Sequence, residues 1–272
     1  MRANGETPLP APVVVESARD IKLPSRVKGR EIPCRVFEPE KGKSRGVFYH
    51  IHGGGWVLQN ERAQDVMLKY FADHSQLTVV SAGYRLAPED PYPAANEDCF
   101  DIGEYLVDNA ERDYGVPLLF LGGESAGGHL SAVTCFHLLE SRPKFSFKGV
   151  VLNYGCFELS AFLPQAHHFD KPELVLNPQI MQKFVSGITD AEVVRRSLMV
   201  CQTEAYLPGM SEAEKRDPKI SPLYANMNAL KCPPALFTCG TLDPLLDDTV
   251  MMATKWMMSG AESILKIYSG KS

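Results

Sequence analysis

The chain has 272 residues, of which 44% are hydrophobic and 22% are charged, and its formal net charge is −5 at pH 7. This composition is typical of a soluble globular protein, and a negative balance without blocks of like charge argues against nucleic-acid binding. No apolar run approaches the roughly 20 residues that cross a membrane, and the N-terminus lacks the apolar core of a secretory signal.

Seven cysteines are scattered along the chain without the short spacings that bind zinc. Their odd number and wide separation are typical of free thiols in a reducing compartment. We therefore expect a cytoplasmic protein without a metal site or a cofactor.

Strands and helices alternate in the predicted order of elements, which favours a mostly parallel sheet of about eight strands with an antiparallel start. In the first helix, Val66, Met67, Tyr70 and Phe71 form one apolar face. The strands are predicted at residues 13–23, 32–38, 46–52, 78–82, 118–121, 149–154, 234–239 and 263–268, and the helices at 61–74, 94–113, 129–141 and 248–259.

Residues 160–221 interrupt this alternation. They contain helical patterns at 177–187 and 191–200, joints marked by proline, and no convincing strand. We expect a helical cap over the carboxyl edge of the sheet, inserted into a single domain that spans residues 1–272.

The stretch 118–130 runs from an apolar strand through Gly123-x-Ser125-x-Gly127 into a helix. This pattern is typical of a nucleophile elbow, a tight turn that exposes a serine at the carboxyl end of the sheet. The next helix directs its N-terminal dipole toward that serine. A simple glycine–serine loop is the alternative, but the flanking strand and helix favour a catalytic Ser125.

A glycine-rich sequence, His52-Gly53-Gly54-Gly55-Trp56, follows an earlier predicted strand. The N–H groups of Gly54 and Gly55 can converge with that of Ala126 on one oxygen, which is how an oxyanion hole is built. A flexible turn before Trp56 is the alternative interpretation.

The acid of such a site is expected in a loop after a late strand, in the chain order Ser, Asp, His. Asp243 is the first carboxylate after the strand predicted at 234–239, and Pro244 follows it. Asp247 and Asp248 are better explained as charges in the first turn of the next helix. The pattern therefore favours Asp243 over Asp247.

Four motifs occur in order between about residues 46 and 270: H-G-G-G-W, Y-R-L-A-P-E, G-E-S-A-G-G and D-P-L-L-D. Together they resemble the hormone-sensitive-lipase family of α/β-hydrolases. The resemblance implies an α/β-hydrolase fold with a helical cap, and hydrolysis of small-molecule esters with short to medium acyl chains without a cofactor. It also implies that Arg85, Glu89 and Asp98 are structural.

By the same resemblance, Ser125 is the nucleophile, Asp243 is the acid, and Gly54, Gly55 and Ala126 donate to the oxyanion. The base in this family is a histidine after the last strand, where this sequence reads Ser269-Gly270-Lys271-Ser272. We expect that histidine and a final helix to lie past residue 272.

Two hypotheses follow: a truncated esterase with impaired activity, which we favour, or a receptor-like protein that binds small molecules without turnover. His167 and His168 in the predicted cap are the alternative source of a base, whereas His52 is expected to brace the glycines. An uncovered edge strand also predicts lower stability than a longer form, and pairing into a homodimer.

Overall fold

Eight strands form one sheet in the computed structural model, which describes residues 12–160 and 202–270. Their spatial order is β1-β2-β4-β3-β5-β6-β7-β8. The strands are β1 Arg19–Pro24, β2 Glu31–Phe37, β3 Val47–Ile51, β4 Thr78–Ala82, β5 Leu118–Glu124, β6 Gly149–Asn153, β7 Ala235–Gly240 and β8 Ser263–Tyr268.

The sheet is antiparallel at one edge and parallel elsewhere. β1 pairs with β2, and β2 with β4, in antiparallel register, whereas the pairs from β4 through β3, β5, β6 and β7 to β8 are parallel. The predicted α/β-hydrolase sheet is therefore confirmed. The first strand is shorter than predicted, because β2 ends at Phe37 and offers no partner to Val13 and Val14, which are exposed.

The parallel strands are joined by helices over most of the described chain. These helices are α1 Asp65–Ser75, α2 Ala94–Tyr114, α3 Ala126–Ser141, α4 Glu212–Lys215 and α5 Leu246–Met258, with short 3-10 turns at Pro222–Tyr224 and Met227–Ala229 and a helical segment at 202–206. Among the helices that are described, none is long and apolar enough to cross a membrane.

The packing face of α1 differs from the prediction. Leu68 and Ala72 are buried, and Phe71 is partly buried against the core as predicted, whereas Val66, Met67 and Tyr70 are all more than half exposed. Both sets of residues recur at helical spacing, so periodicity alone did not decide which face meets the sheet.

α3 is the central helix of the core. Most of its residues are buried, and it packs against β5, β6, β3 and α2. An apolar helix surrounded in this way is held rigidly, so the residue at its N-terminus has a fixed position relative to the sheet.

The predicted cap is described only in part, since residues 161–201 and the helical patterns at 177–187 and 191–200 lie outside the described residues. Residues 202–221 contain helical segments and no strand, and they contact the α/β domain directly. The Tyr92 N–H donates to the Tyr206 carbonyl over 2.8 Å. This part of the chain therefore lies against the α/β domain, and a helical cap over residues 160–221 stays a prediction.

Candidate active site

Ser125 lies between β5 and α3 in a backbone conformation that non-glycine residues rarely adopt, with φ 54° and ψ −121°. Its N–H donates to the Asn153 carbonyl over 3.0 Å, and its own carbonyl accepts from the His129 N–H over 3.1 Å. The strained turn is thus held by β6 on one side and by α3 on the other. Such strain recurs at functional sites.

The elbow requires glycine on both sides of the serine. A Cβ placed on Gly123 would lie 2.2 Å from the Ile51 carbonyl oxygen, and one on Gly127 would lie 2.0 Å from the same atom. Any side chain at either position would push β3 away from β5 and α3.

The glycine loop after β3 lies beside this turn, since a Cβ on Gly53 would be 3.4 Å from the Ser125 Cβ. The Gly53 carbonyl accepts hydrogen bonds from His52 Nδ1 over 2.7 Å and from the Tyr84 hydroxyl over 3.3 Å. In a planar trans peptide the C=O and the following N–H point in opposite directions. These two donors therefore aim the Gly54 N–H away from His52 and Tyr84.

The next peptide is oriented in the same way. The Gly54 carbonyl accepts from the N–H groups of Val57 and Leu58 over 3.2 and 2.9 Å, which turns the Gly55 N–H to the opposite side. Gly54 has φ +107°, and a Cβ there would lie 2.4 Å from the Leu58 carbonyl oxygen, so this turn requires glycine.

Three backbone N–H groups of the glycine loop and the elbow have no hydrogen-bond acceptor in the described part of the chain. Within residues 12–160 and 202–270, the N–H groups of Gly54, Gly55 and Ala126 donate to no acceptor. Ala126 is the first residue of α3, where N–H groups lack an intrahelical partner. This arrangement can bind the oxygen of a polarised carbonyl or of a tetrahedral adduct.

Trp56 connects the glycine loop to the elbow helix and to the residues after 202. Its Nε1–H donates to His129 Nδ1 over 3.1 Å, and His129 Nε2 donates to the Ile220 carbonyl over 2.7 Å. The Trp56 ring also stacks on Tyr206, with centroids 4.8 Å apart. Burial lowers the pKa of His129 to about 4, so its ring is neutral at neutral pH and can accept from Trp56.

Gln202 lies directly over the glycine loop. A Cβ on Gly55 would lie 2.4 Å from the carboxamide carbon and oxygen of Gln202. Sequence analysis did not select Gln202, because nothing in its local sequence distinguishes it from other polar residues of the predicted cap.

Asp243 follows β7 in a tight turn, where the Leu245 N–H donates to its Oδ1 over 2.8 Å. Burial raises the pKa of Asp243 to about 6, and the Leu245 N–H opposes this with a smaller effect. Since β6 separates β5 from β7, the backbone turns of Ser125 and Asp243 are roughly 10 Å apart, two strand spacings. A third side chain is needed to connect the two residues.

The loop after β8 runs alongside the Asp243 turn. The Gly270 N–H donates to Thr241 Oγ1 over 2.9 Å, and the Thr241 N–H donates to the Tyr268 carbonyl over 2.9 Å. The chain that leaves β8 therefore begins next to the predicted acid.

The described histidines are engaged elsewhere. His50 faces Glu124 and Ser81, His52 faces Gly53, His74 faces the Tyr70 carbonyl, His129 lies between Trp56 and Ile220, and His137 pairs with Glu104. The expected bracing by His52 agrees with its bond to Gly53. No described histidine thus bridges Ser125 and Asp243, and His167 and His168 lie outside the described residues.

Asp248 is not simply a first-turn charge of α5. It is buried and accepts from the N–H groups of Phe157 and Glu158, each over 2.7 Å. Burial raises its pKa to about 7. It anchors the segment that leads out of β6, a role that only the tertiary structure reveals.

Two further residues near the site were missed by sequence analysis. Glu124 precedes Ser125 and is hydrogen-bonded to the glycine loop. Tyr154 follows β6 with φ 36°, and burial together with the charges of Glu124 and Asp243 raises its pKa to about 12. A polar residue at the carboxyl end of a buried strand was the available signal for both.

The structural role expected for Asp98 agrees with its contacts. Its buried carboxylate pairs with the guanidinium of Arg30 at 2.6 Å and with that of Arg85 at 3.0 Å, and it also accepts from the Arg85 N–H. Among the described residues, no group of three or more histidine, cysteine or acidic side chains is arranged to hold a metal ion.

The sequence from residue 48 to 272 matches the model of a family described as the alpha/beta hydrolase fold. An AB hydrolase superfamily protein of Schizosaccharomyces pombe is 30% identical over 265 residues, covering 94% of this chain and 72% of that protein. The carboxylic ester hydrolase LipN of Mycobacterium tuberculosis is 30% identical, covering 91% of this chain and 61% of LipN.

Solved structures give the same result. A hyperthermophilic esterase from the archaeon Pyrobaculum calidifontis superimposes with a TM-score of 0.78 at 29% identity, covering 95% of this chain and 77% of that one. With its fold, its four motifs and these relatives, the chain belongs to the α/β-hydrolase family, and within it to the esterases of the hormone-sensitive-lipase type.

Proposed function

We propose that this chain is a serine-dependent carboxylic ester hydrolase in which Ser125 attacks the acyl carbon of a small-molecule ester with a short to medium acyl chain. The observation that carries the proposal is the strained Ser125 turn beside the unpaired N–H groups of Gly54, Gly55 and Ala126. A serine in that position has donors ready for the oxyanion, which is the largest electrostatic contribution to acyl transfer.

The roles then follow from the chemistry of acyl transfer. Ser125 Oγ forms a bond to the carbonyl carbon, the carbonyl oxygen becomes an oxyanion held by the three N–H groups, and the bond to the alcohol oxygen breaks as the alcohol leaves with a proton. Water then attacks the acyl–Ser125 ester, which releases the carboxylic acid and returns a proton to Ser125 Oγ. Asp243 orients the histidine that takes the serine proton and later delivers it to the alcohol. The half-buried position of Asp243 beside the loop after β8 supports this assignment.

The test is hydrolysis of p-nitrophenyl esters of increasing acyl length by the 272-residue chain, by Ser125→Ala and by Ser141→Ala as a matched control on the same helix. Turnover is expected to be greatest with short to medium acyl groups. Because no described histidine reaches Ser125, turnover by this chain is expected to be low, and what remains should be lost in Ser125→Ala and kept in Ser141→Ala. Equal turnover by wild type and Ser125→Ala would contradict the proposal.

A second candidate function is binding of small molecules without turnover. One observation favours it: every described histidine is hydrogen-bonded away from Ser125 and Asp243. Absence of turnover in the wild type, together with saturable binding of ester-like ligands, would select this function. Turnover that requires His167 or His168 would exclude it.

A further inference from the structure

Glu124 is the last residue of β5 and lies directly before Ser125, yet its side chain is only 10% exposed. A carboxylate in the interior of a sheet is unfavourable unless it is hydrogen-bonded or paired with a cation. The partners of Glu124 therefore explain why an acid is tolerated at this position.

The carboxylate joins three separate elements. Oε1 accepts from the Gly53 N–H over 2.7 Å and from Gln64 Nε2, directly before α1, over 2.6 Å. Oε2 lies 3.1 Å from Nε2 of His50 on β3. Of these contacts, the one with Gly53 reaches the glycine loop itself.

The Gly53 contact fixes the first peptide of the loop. The Gly53 N–H is held by Glu124, while the Gly53 carbonyl is held by His52 and Tyr84, so both peptide planes that flank Gly53 are fixed. The second of these planes carries the Gly54 N–H. Glu124 therefore holds the residue from which this predicted oxyanion donor extends, while His52 and Tyr84 orient the donor's peptide plane.

A negative charge next to the nucleophile would by itself disfavour an oxyanion. His50 faces the carboxylate, with Nε2 3.1 Å from Glu124 Oε2 and Nδ1 3.2 Å from Ser81 Oγ. Burial tends to raise the pKa of Glu124, but His50 and the Gly53 N–H outweigh it, and the net pKa is lowered. The carboxylate thus stays an acceptor at neutral pH.

We propose that Glu124 is a positioning residue for the oxyanion hole, which acts through Gly53 to aim the Gly54 N–H and does not itself touch the substrate. This inference rests on the proposed function, because it assumes that Ser125 and the glycine loop bind a tetrahedral adduct. It predicts that the acceptor on residue 124 matters rather than its negative charge.

The experiment measures the affinity of the 272-residue chain for phenylboronic acid by calorimetry, because boronic acids form a tetrahedral adduct with a serine and fill the oxyanion position without turnover. Glu124→Met removes the acceptor at similar volume and is expected to weaken binding about tenfold or more. Glu124→Gln keeps an oxygen for Gly53 and should bind within about threefold of wild type.

Glu104→Met is the matched control, because Glu104 also pairs with a histidine: its carboxylate lies 2.7 Å from His137 Nε2. That pair lies about 18 Å along α3 from Ser125, at 1.5 Å per residue. Its loss is expected to change stability and to leave boronate affinity unchanged.

Three outcomes would overturn the inference in distinguishable ways. Wild-type affinity in Glu124→Met, with binding lost in Ser125→Ala, would overturn the positioning role alone. Equal weakening in Glu124→Gln and Glu124→Met would show that charge matters instead of the acceptor. Binding that survives Ser125→Ala would overturn the proposed function and this inference together.

A second measurement needs no disruptive variant. The Gly53 amide proton of the wild type is expected to exchange with solvent more slowly than those of Gly54 and Gly55, because it alone of the three is held by the buried carboxylate. Equal exchange rates at the three glycines would contradict the coupling.

Discussion

The two halves of the candidate site differ in how completely their groups are fixed. On the β3–β5 side, the Ser125 turn, the glycine loop and Trp56 each have several hydrogen-bond partners, most of them buried. On the β7–β8 side, the carboxyl of Asp243 accepts from the Leu245 N–H, and most of β8 is exposed.

This difference separates two kinds of chemistry. The groups that we propose to bind an oxyanion are preorganised by the fold itself, because peptide planes and buried side chains leave them little freedom. The groups that move a proton are not assembled among the described residues. The oxyanion side therefore has a geometry that can be tested by itself, before the base is identified.

The largest effect is expected from a substitution that disrupts the β3–β5 side of the site. Gly123→Ala places a methyl group 2.2 Å from the Ile51 carbonyl oxygen, so β3 and β5 must separate. We expect a loss of roughly 3 kcal/mol or more in the free energy of unfolding, measured by guanidinium denaturation.

Gly29→Ala is the control for the cost of backbone strain. Gly29 has φ +80°, but a Cβ there would meet no atom within 4 Å. Gly29→Ala should lower the free energy of unfolding by only about 1–2 kcal/mol. Equal losses in Gly123→Ala and Gly29→Ala would show that the close approach of β3 to the elbow is not what makes glycine necessary.

A smaller effect is expected for the two tryptophans, Trp56 on the β3–β5 side and Trp256 on the β7–β8 side. Trp56→Phe leaves His129 Nδ1 without a donor, and Trp256→Phe does the same to the Pro233 carbonyl, which Trp256 Nε1 contacts at 2.8 Å. Each is expected to lower the free energy of unfolding by about 1–3 kcal/mol.

Only Trp56→Phe should also weaken the binding of phenylboronic acid, because Trp56 holds the glycine loop against the elbow helix. Calorimetry on both variants gives the comparison, and their unfolding midpoints control for general damage. Similar loss of affinity in the two variants would remove the distinction between the halves.

The smallest effect is expected in the pH dependence of the free energy of unfolding. The pKa of Asp248 is raised in the folded chain, so its contribution to stability is present below about pH 4 and is lost as pH rises toward 7. Asp248→Asn keeps an oxygen for Phe157 and Glu158 and removes this loss. Relative to wild type, Asp248→Asn should gain stability as the pH rises from 4 to 8.

The buried histidines change the stability with pH in the opposite direction. Burial lowers the pKa of His52 and of His129 to about 4, so their contribution is present above about pH 6.5 and is lost as pH falls toward 4. Urea unfolding from pH 4 to 8 should therefore show falling stability in both directions in wild type, but only the acidic loss should remain in Asp248→Asn. Parallel pH profiles for the two proteins would contradict the account.

Much of the fold could be predicted because its information is local. Alternating strand and helix patterns gave the element order, and parallel strands linked by helices leave few alternative topologies. The apolar face predicted for α1 was right at Phe71 but wrong at the exposed Val66 and Tyr70, because Leu68 and Ala72 repeat at the same spacing. Burial of one face depends on where the helix lies, which the local sequence does not contain.

The same distinction applies to the site. Ser125 and the glycine loop could be selected as candidates from the sequence because their residues are adjacent and their backbone requirements are specific. Glu124 was not, because its contacts with Gly53 and Gln64 join residues 71 and 60 positions apart. Such contacts arise only when β3, β5 and α1 have assembled.

The central claim is that Ser125 is the nucleophile, and peptide mapping of the 272-residue chain after treatment with a fluorophosphonate tests it most directly. The account predicts one covalent adduct on the peptide that contains Ser125, absent from Ser125→Ala. An adduct at another residue, or unchanged labelling of Ser125→Ala, would contradict it.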